Sequence, residues 1–217
     1  MSVANPQEIR SRLFMTAVAL ARLKLNRGTA GNVSARAGEG FLITPSGVPV
    51  DRMAPHDMVE ATLDGRFSGA LVPSSEWRLH RDIYVHRPEI GAVIHAHAPF
   101  CTAVACHRMG IPAFHYMVAV AGGKDIRCAD YATFGTQDLS DATLRALEGR
   151  RACLLAHHGL VACGADLDSA LKLAEEVEEL AEQYWRVRLL GEPILLDDDE
   201  MDRVLARFST YGQPHRA

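Results

Sequence analysis

Two short apolar runs that each end in histidine set the tightest limits on how this chain folds. Ala92-Val93-Ile94 leads into His95-Ala96-His97, and Ala152-Cys153-Leu154-Leu155-Ala156 leads into His157-His158-Gly159. Apolar runs of this length read as buried strands, and residues at i and i+2 of a strand share a face. His95 and His97 therefore point the same way and can share one ion. A fold that brings the second run close adds His157 or His158. With 10 histidines in 217 residues, chance predicts about 0.5 pairs of this spacing, so the context has to decide their role.

That context is a chain of helices and short strands. Asn5-Pro6 is an N-cap and first-turn pair, after which Ile9, Leu13, Ala17, Leu20 and Ala21 recur at helical spacing up to Asn26-Arg27-Gly28. Strand-like runs follow at Asn32 to Ala35 and Phe41 to Thr44, and a helix is predicted from about Ser75 to Val85. The longest helical pattern runs from Asp168 to Leu190, with Leu171, Ala174, Val177, Ala181 and Trp185 on one stripe. Glu175, Glu176, Glu178, Glu179 and Glu182 read as its solvated face. Short strands between helices point to a layered α/β domain, with residues 1–217 expected to form a single domain.

Charge and cysteine usage narrow the function. The net charge is −4 and the 23 Lys and Arg residues are scattered, which argues against a nucleic-acid surface. The five cysteines include no CxxC pair and read as reduced thiols. No basic leader precedes an apolar stretch, and nowhere do about 18 apolar residues run together, so a soluble, cytoplasmic protein without a membrane partner is expected.

A catalytic zinc site takes three ligands of the His and carboxylate kind and keeps one position open. This chain offers His95, His97, one of His157 and His158, and Glu76 within Pro73-Ser74-Ser75-Glu76-Trp77. Glu76 also fits the first turn of a helix that Ser75 caps. Three stretches suit an anion: Gly28 to Ser34, Thr44-Pro45-Ser46-Gly47, and Ser74-Ser75 at the expected helix N-terminus. None is a Walker A loop or a GxGxxG turn, which disfavours nucleotide binding.

Eight blocks then stand in order across almost the entire chain: GTAGNVS, LITPSG, PSSEW, HAH, HYMVAVAGGKDI, YATFGT, HHGL and RFSTYG. Together they closely resemble the class II aldolase/adducin family. The resemblance implies an α/β/α sandwich with a central, mainly antiparallel sheet, assembled as a homotetramer with active sites between subunits. It implies a Zn2+ ion, or another divalent ion such as Co2+ or Mn2+, on His95, His97 and His158, His158 being the histidine directly before Gly159. Glu76 is implied as a fourth ligand and as the catalytic acid/base. The implied phosphate cradle falls on Thr29, Gly31, Asn32, Ser46, Gly47, Ser74 and Ser75, with Ser46 where the aldolase motif has Thr. Tyr116, Phe134 and Tyr211 match aromatic residues that the family sends into a neighbouring subunit's site, Tyr116 as the catalytic group at the C4 hydroxyl.

The reaction so implied is the reversible retro-aldol cleavage of a ketose 1-phosphate to dihydroxyacetone phosphate and a small aldehyde, through an enediolate that the metal stabilises. L-Fuculose 1-phosphate, 5-deoxyribulose 1-phosphate and 5-methylthioribulose 1-phosphate all fit. The same fold hosts sugar-phosphate 4-epimerases and an adducin-like binding module. Three histidines with Glu76 count against the scaffold, which has no use for an open metal site. Tyr116 and the C-terminal Ser-Thr-Tyr-Gly segment favour the aldolase.

Overall fold

The computed structural model describes residues 5–208. Helix α1 (Pro6–Arg22) starts as expected, with the Asn5 side chain accepting from the Gln7 N–H at 3.0 Å and Pro6 in the first turn. In chain order there follow β1 (Asn32–Ala37), β2 (Gly40–Ile43), β3 (Val59–Thr62), β4 (Phe67–Ser68), α2 (Trp77–His86), β5 (Ala92–Ala96) and α3 (Pro99–Cys106). Then come β6 (Cys128–Ala129), α4 (Gln137–Ala146), β7 (Ala152–Leu155), β8 (Gly159–Gly164), α5 (Leu167–Leu190) and α6 (Asp198–Phe208). The strands form one open sheet in the order β4-β3-β2-β1-β5-β8-β7-β6. Every pair is antiparallel except β6 with β7.

The strand period of two sorts the core into two halves. Ala92, Ile94 and Ala96 of β5, with Leu160 and Ala162 of β8, pack against Leu13 and Leu20 of α1, Val104 of α3 and Ala170, Ala174 and Val177 of α5. Their neighbours Val93, Val161 and Cys163 face the other way, onto Leu79 and Ile83 of α2 and Leu139 and Ala142 of α4. Helices thus cover both faces of a mostly antiparallel sheet, the α/β/α sandwich that the eight blocks imply.

Two sequence expectations for α5 need correction. Its buried stripe is Leu167, Ala170, Leu173, Ala174, Val177, Leu180, Ala181 and Tyr184, whereas Leu171 is only partly covered and Trp185 is 45 % exposed. The helix carries apolar residues on two overlapping stripes, and packing on β5 and β8 selects between them. Glu178 is also not on a solvated face. Its carboxylate accepts from the N–H groups of Phe100 at 2.9 Å and Cys101 at 2.8 Å, closing the N-terminus of α3, where Ala98 has no capping side chain. Among the described residues no helix is long and apolar enough to cross a membrane, and all five cysteines are free.

Candidate active site

The site begins with strand register. His95 on β5 stands opposite Asn32 on β1 and Val161 on β8, on the sheet face that α2 covers. Its ring is fully buried, and Nδ1–H donates to the Leu160 carbonyl at 2.9 Å, which turns the Nε2 lone pair inward. His97 lies just past the strand end on the same face, its Nε2 3.0 Å from that of His95. The β7–β8 hairpin supplies the third imidazole, with the His158 ring centroid 4.6 Å from His95 and 4.8 Å from His97. Gly159 permits this approach, because a Cβ there would fall 2.3 Å from the Ala96 carbonyl oxygen. His157 takes a left-handed conformation, with φ 55°. Its ring lies beside Tyr131 and accepts from Arg108 Nε at 3.2 Å, so only His158 of the pair joins the cluster.

Glu76 completes the group. Its Oε2 is 3.2 Å from His95 Nε2 and its Oε1 is 3.3 Å from His158 Nε2. One ligand atom from each of Glu76, His95, His97 and His158 lies within 4.8 Å of the others. This arrangement corrects the expected helix start. α2 begins at Trp77 with Glu76 as the cap residue, no side-chain cap bond forms there, and the Ser74 hydroxyl rather than Ser75 accepts from the Glu76 N–H, at 3.3 Å. The Glu76 carboxylate is turned inward to the imidazoles and so is lost to the helix end.

The electrostatics suit a cation. Burial raises the Glu76 pKa, but the facing His95 and His158 rings and the Asn32 amide outweigh it and hold the group below the usual carboxylate range. Burial, then the neighbouring His95, pushes His97 and His158 down to about 4, so both are neutral with free lone pairs at neutral pH. For His95 burial works downward, but the Glu76 carboxylate reverses it and the net shift is upward. Glu76 Oε1 is buried and, among the described residues, receives no hydrogen bond. A buried acceptor without a donor, facing converging imidazole lone pairs, is the donor set of a divalent metal centre, and these residues fit one.

Beside the cluster opens a cavity of about 370 Å³. Thr29, Gly31, Asn32, Ser46, Gly47, Ser74 and Ser75 all line it, together with Glu76, His97 and His158. Two bonds clip its loops together: Ser46 N–H to the Val72 carbonyl at 2.9 Å and Ser74 N–H to the Thr44 carbonyl at 3.1 Å. Gly31, at φ +71°, has no room for a Cβ, which would lie 2.2 Å from the Asn26 amide. The same Asn26 accepts from the His97 N–H at 3.0 Å, tying the glycine turn to the end of β5. Asn26 escapes sequence reasoning because it reads as an ordinary helix terminator.

Of the aromatic residues singled out, Phe134 lines the cavity with 65 % of its surface exposed. Tyr116 opens a 3-10 turn (Tyr116–Ala121), is 51 % exposed and does not line its own chain's cavity. Tyr211 lies outside the described residues. Tyr131 and Ala132 of the YATFGT block also line the cavity, although the sequence reading does not single them out, and His157, a candidate ligand by spacing, lines it without joining the cluster.

Comparison with known proteins agrees with this geometry. The Class II Aldolase and Adducin N-terminal domain family matches residues 11–185. Over 204 residues the chain is 57 % identical to a 5-methylthioribulose-1-phosphate/5-deoxyribulose-1-phosphate aldolase of Rhodospirillum rubrum, covering 94 % of this chain and 92 % of that protein. It is 46 % identical over 206 residues to the L-fuculose phosphate aldolase of Escherichia coli K12, covering 94 % and 96 %. A solved L-fuculose 1-phosphate aldolase superposes with a TM-score of 0.90 at 40 % identity, over 93 % of this chain and 96 % of that one. The chain belongs to the class II aldolase and adducin family, and within it to the enzymes, the aldehyde-lyases.

Proposed function

We propose that the protein is a zinc-dependent aldolase that reversibly cleaves a ketose 1-phosphate into dihydroxyacetone phosphate and a small aldehyde. The observation that carries this reading is the convergence of His95, His97, His158 and Glu76, with Glu76 Oε1 lacking a donor, at the edge of a hydroxyl- and glycine-lined cavity. Identity of 57 % to an enzyme named for 5-methylthio- and 5-deoxyribulose 1-phosphate, against 46 % to one named for fuculose phosphate, supports the pentulose phosphates ahead of L-fuculose 1-phosphate.

Zinc, or Co2+ or Mn2+, held by the three histidines and Glu76 would supply Lewis-acid stabilisation of the charge that develops as the C3–C4 bond breaks, worth several kcal/mol. The chain's own groups do the rest. Hydroxyls of Thr29, Ser46, Ser74 and Ser75, the Asn32 amide and the turns at Gly31 and Gly47 hold the phosphate, whose remote binding energy fixes the reacting carbons. Tyr116 of a neighbouring subunit relays the proton of the C4 hydroxyl away as the aldehyde leaves, its own phenolic proton passing to solvent. Glu76, after taking up a proton from solvent, returns one to C3, so that the net transfer is from the C4 oxygen to C3. Phe134 and Tyr211 flank the aldehyde.

A homotetramer with sites between subunits is part of this proposal. Its support is that Tyr116 is half exposed away from its own cavity, while Trp185, Leu189, Leu190 and Ile194 leave apolar surface uncovered. Five free cysteines support a reducing, cytoplasmic setting. Residues 1–217 are proposed to act as one domain.

The test is a panel of ketose 1-phosphates assayed for dihydroxyacetone phosphate and for the 4-epimer. Release of dihydroxyacetone phosphate from the pentulose phosphates is expected. Epimer formation without carbon–carbon cleavage would replace the aldolase by a 4-epimerase.

A further inference from the structure

Helix α2 and strand β1 meet in a row of polar side chains that the metal cluster alone does not explain. Glu76, His80 and Tyr84 stand at i, i+4 and i+8, one stripe along α2. Asn32 and Ser34 stand at i and i+2 on the face of β1 turned to that helix. The two rows interlock: Asn32 Nδ2 donates to Glu76 Oε2 at 3.0 Å, and Asn32 Oδ1 lies 2.5 Å from His80 Nε2. His80 Nδ1 lies 2.6 Å from Ser34 Oγ, which is 2.8 Å from the Tyr84 hydroxyl. His80 and Ser34 are fully buried, and Tyr84 and Asn32 nearly so.

The direction of every bond in this row follows from its acidic end. A carboxylate only accepts, so Asn32 must present its N–H to Glu76 and its carbonyl oxygen to His80. That oxygen needs a donor, which is His80 Nε2–H. Burial pushes the His80 pKa down to about 3, so the ring is neutral and carries one N–H only. Nδ1 is then bare and accepts from the Ser34 hydroxyl, which accepts from Tyr84, whose phenol burial keeps protonated. All four bonds run the same way, toward Glu76. An Asn32 amide flipped by a half turn would set oxygen against oxygen and N–H against N–H.

We propose that His80 is a positioning residue for the reaction: its Nε2–H fixes the face of the Asn32 amide, which commits Glu76 Oε2 and leaves Oε1 as the working oxygen. The first half stands on the hydrogen-bond row alone, and the second rests on the aldolase reading of Glu76. Ser34 and Tyr84 act behind His80 by fixing its tautomer.

Two measurements test it. Nitrogen-15 NMR of the metal-free and the zinc-loaded protein should find His80 as the Nε2–H tautomer with a bare Nδ1. An Nδ1–H tautomer overturns the proposal, and this result needs no variant and no substrate. Kinetics of two His80 variants provide the second. His80→Gln places an amide N–H near the lost Nε2–H, whereas the shorter His80→Asn reaches only toward Nδ1. With zinc content verified, His80→Asn is expected to lower the turnover rate of solvent exchange at C3 of dihydroxyacetone phosphate by about 10–100-fold, the usual scale for a group behind a metal ligand. The turnover rate should fall by more than KM rises, the Asn32 amide being also one of the phosphate-holding groups, and His80→Gln should recover most of the rate. Equal losses in both variants, or a loss confined to KM, would overturn the positioning role. A protein that shows the Nε2–H tautomer but cleaves no ketose phosphate would leave the row standing and sink the aldolase reading instead.

Discussion

The floor and the rim of the site are built in opposite ways. The floor is carried by regular elements: His95 and Asn32 face each other across β5 and β1, Glu76 stands at the start of α2, and His158 sits in the tight β7–β8 turn. Its groups are mostly buried and hydrogen-bonded from behind. The rim is made of turns, and its aromatic members Tyr131 and Phe134 are more than half exposed. Groups held on a sheet and a helix keep their geometry, whereas loops accept change. On the proposed reading, metal and proton chemistry sits where register fixes it, and the aldehyde is met by loops. Relatives named for different sugars can therefore resemble this chain over nearly its whole length, at 57 % and 46 % identity.

Substitutions in the two regions should separate cleanly, and the floor should give the largest effects. His158→Ala is expected to lower metal affinity by more than about 100-fold and to remove carbon–carbon cleavage, whereas His157→Ala keeps its ion. Elemental analysis of both variants checks this, and equal losses would mean that the histidine pair is wrongly divided. Next comes Tyr116→Phe, expected to slow cleavage by roughly 10²–10⁴-fold while C3 exchange of dihydroxyacetone phosphate continues. Mixing Tyr116→Phe with Glu76→Gln subunits should restore some cleavage. No recovery despite proven subunit exchange would place Tyr116 outside the neighbour's site.

Rim substitutions are expected to do less. Ser75→Ala should weaken inorganic phosphate and substrate binding by about 1.5–3 kcal/mol with zinc retained, as measured by calorimetry. Unchanged affinity would make the Ser74-Ser75 segment a plain turn. The smallest effect is expected from Phe134→Ala, which should shift the preference between substrates that release acetaldehyde and lactaldehyde, which differ by one hydroxyl-bearing carbon, by about tenfold, the lower end of the discrimination an apolar pocket makes for one carbon more or less. Identical kcat/KM ratios would remove Phe134 from the aldehyde side.

Legibility in the sequence follows the same division. The layered fold is legible because short apolar runs alternate with helical periodicity, whereas spacing shows only that His95 and His97 can share a face at the end of β5, and the full set with His158 and Glu76 comes from the resemblance. His157 and His158 could not be told apart by spacing, since the backbone conformation at the hairpin decides which ring turns inward. Sequence alone places the start of α2 too early because Ser75 and Glu76 make a good local cap, and only the distant imidazoles draw the carboxylate away. Glu178 looked solvated because the α3 N-terminus it closes lies far off in sequence. The His80, Ser34 and Tyr84 row was present as two periodicities, i+4 on one element and i+2 on another. Neither is distinctive until α2 lies on β1.

On the proposed reading, cleavage depends on an ion held by His95, His97, His158 and Glu76. The direct measurement is zinc titration into the chelated protein while dihydroxyacetone phosphate release from 5-deoxyribulose 1-phosphate is followed. Activity should rise from background and level off at one ion per chain, with no such rise in His158→Ala. Full turnover in the metal-free protein would show that cleavage needs no ion.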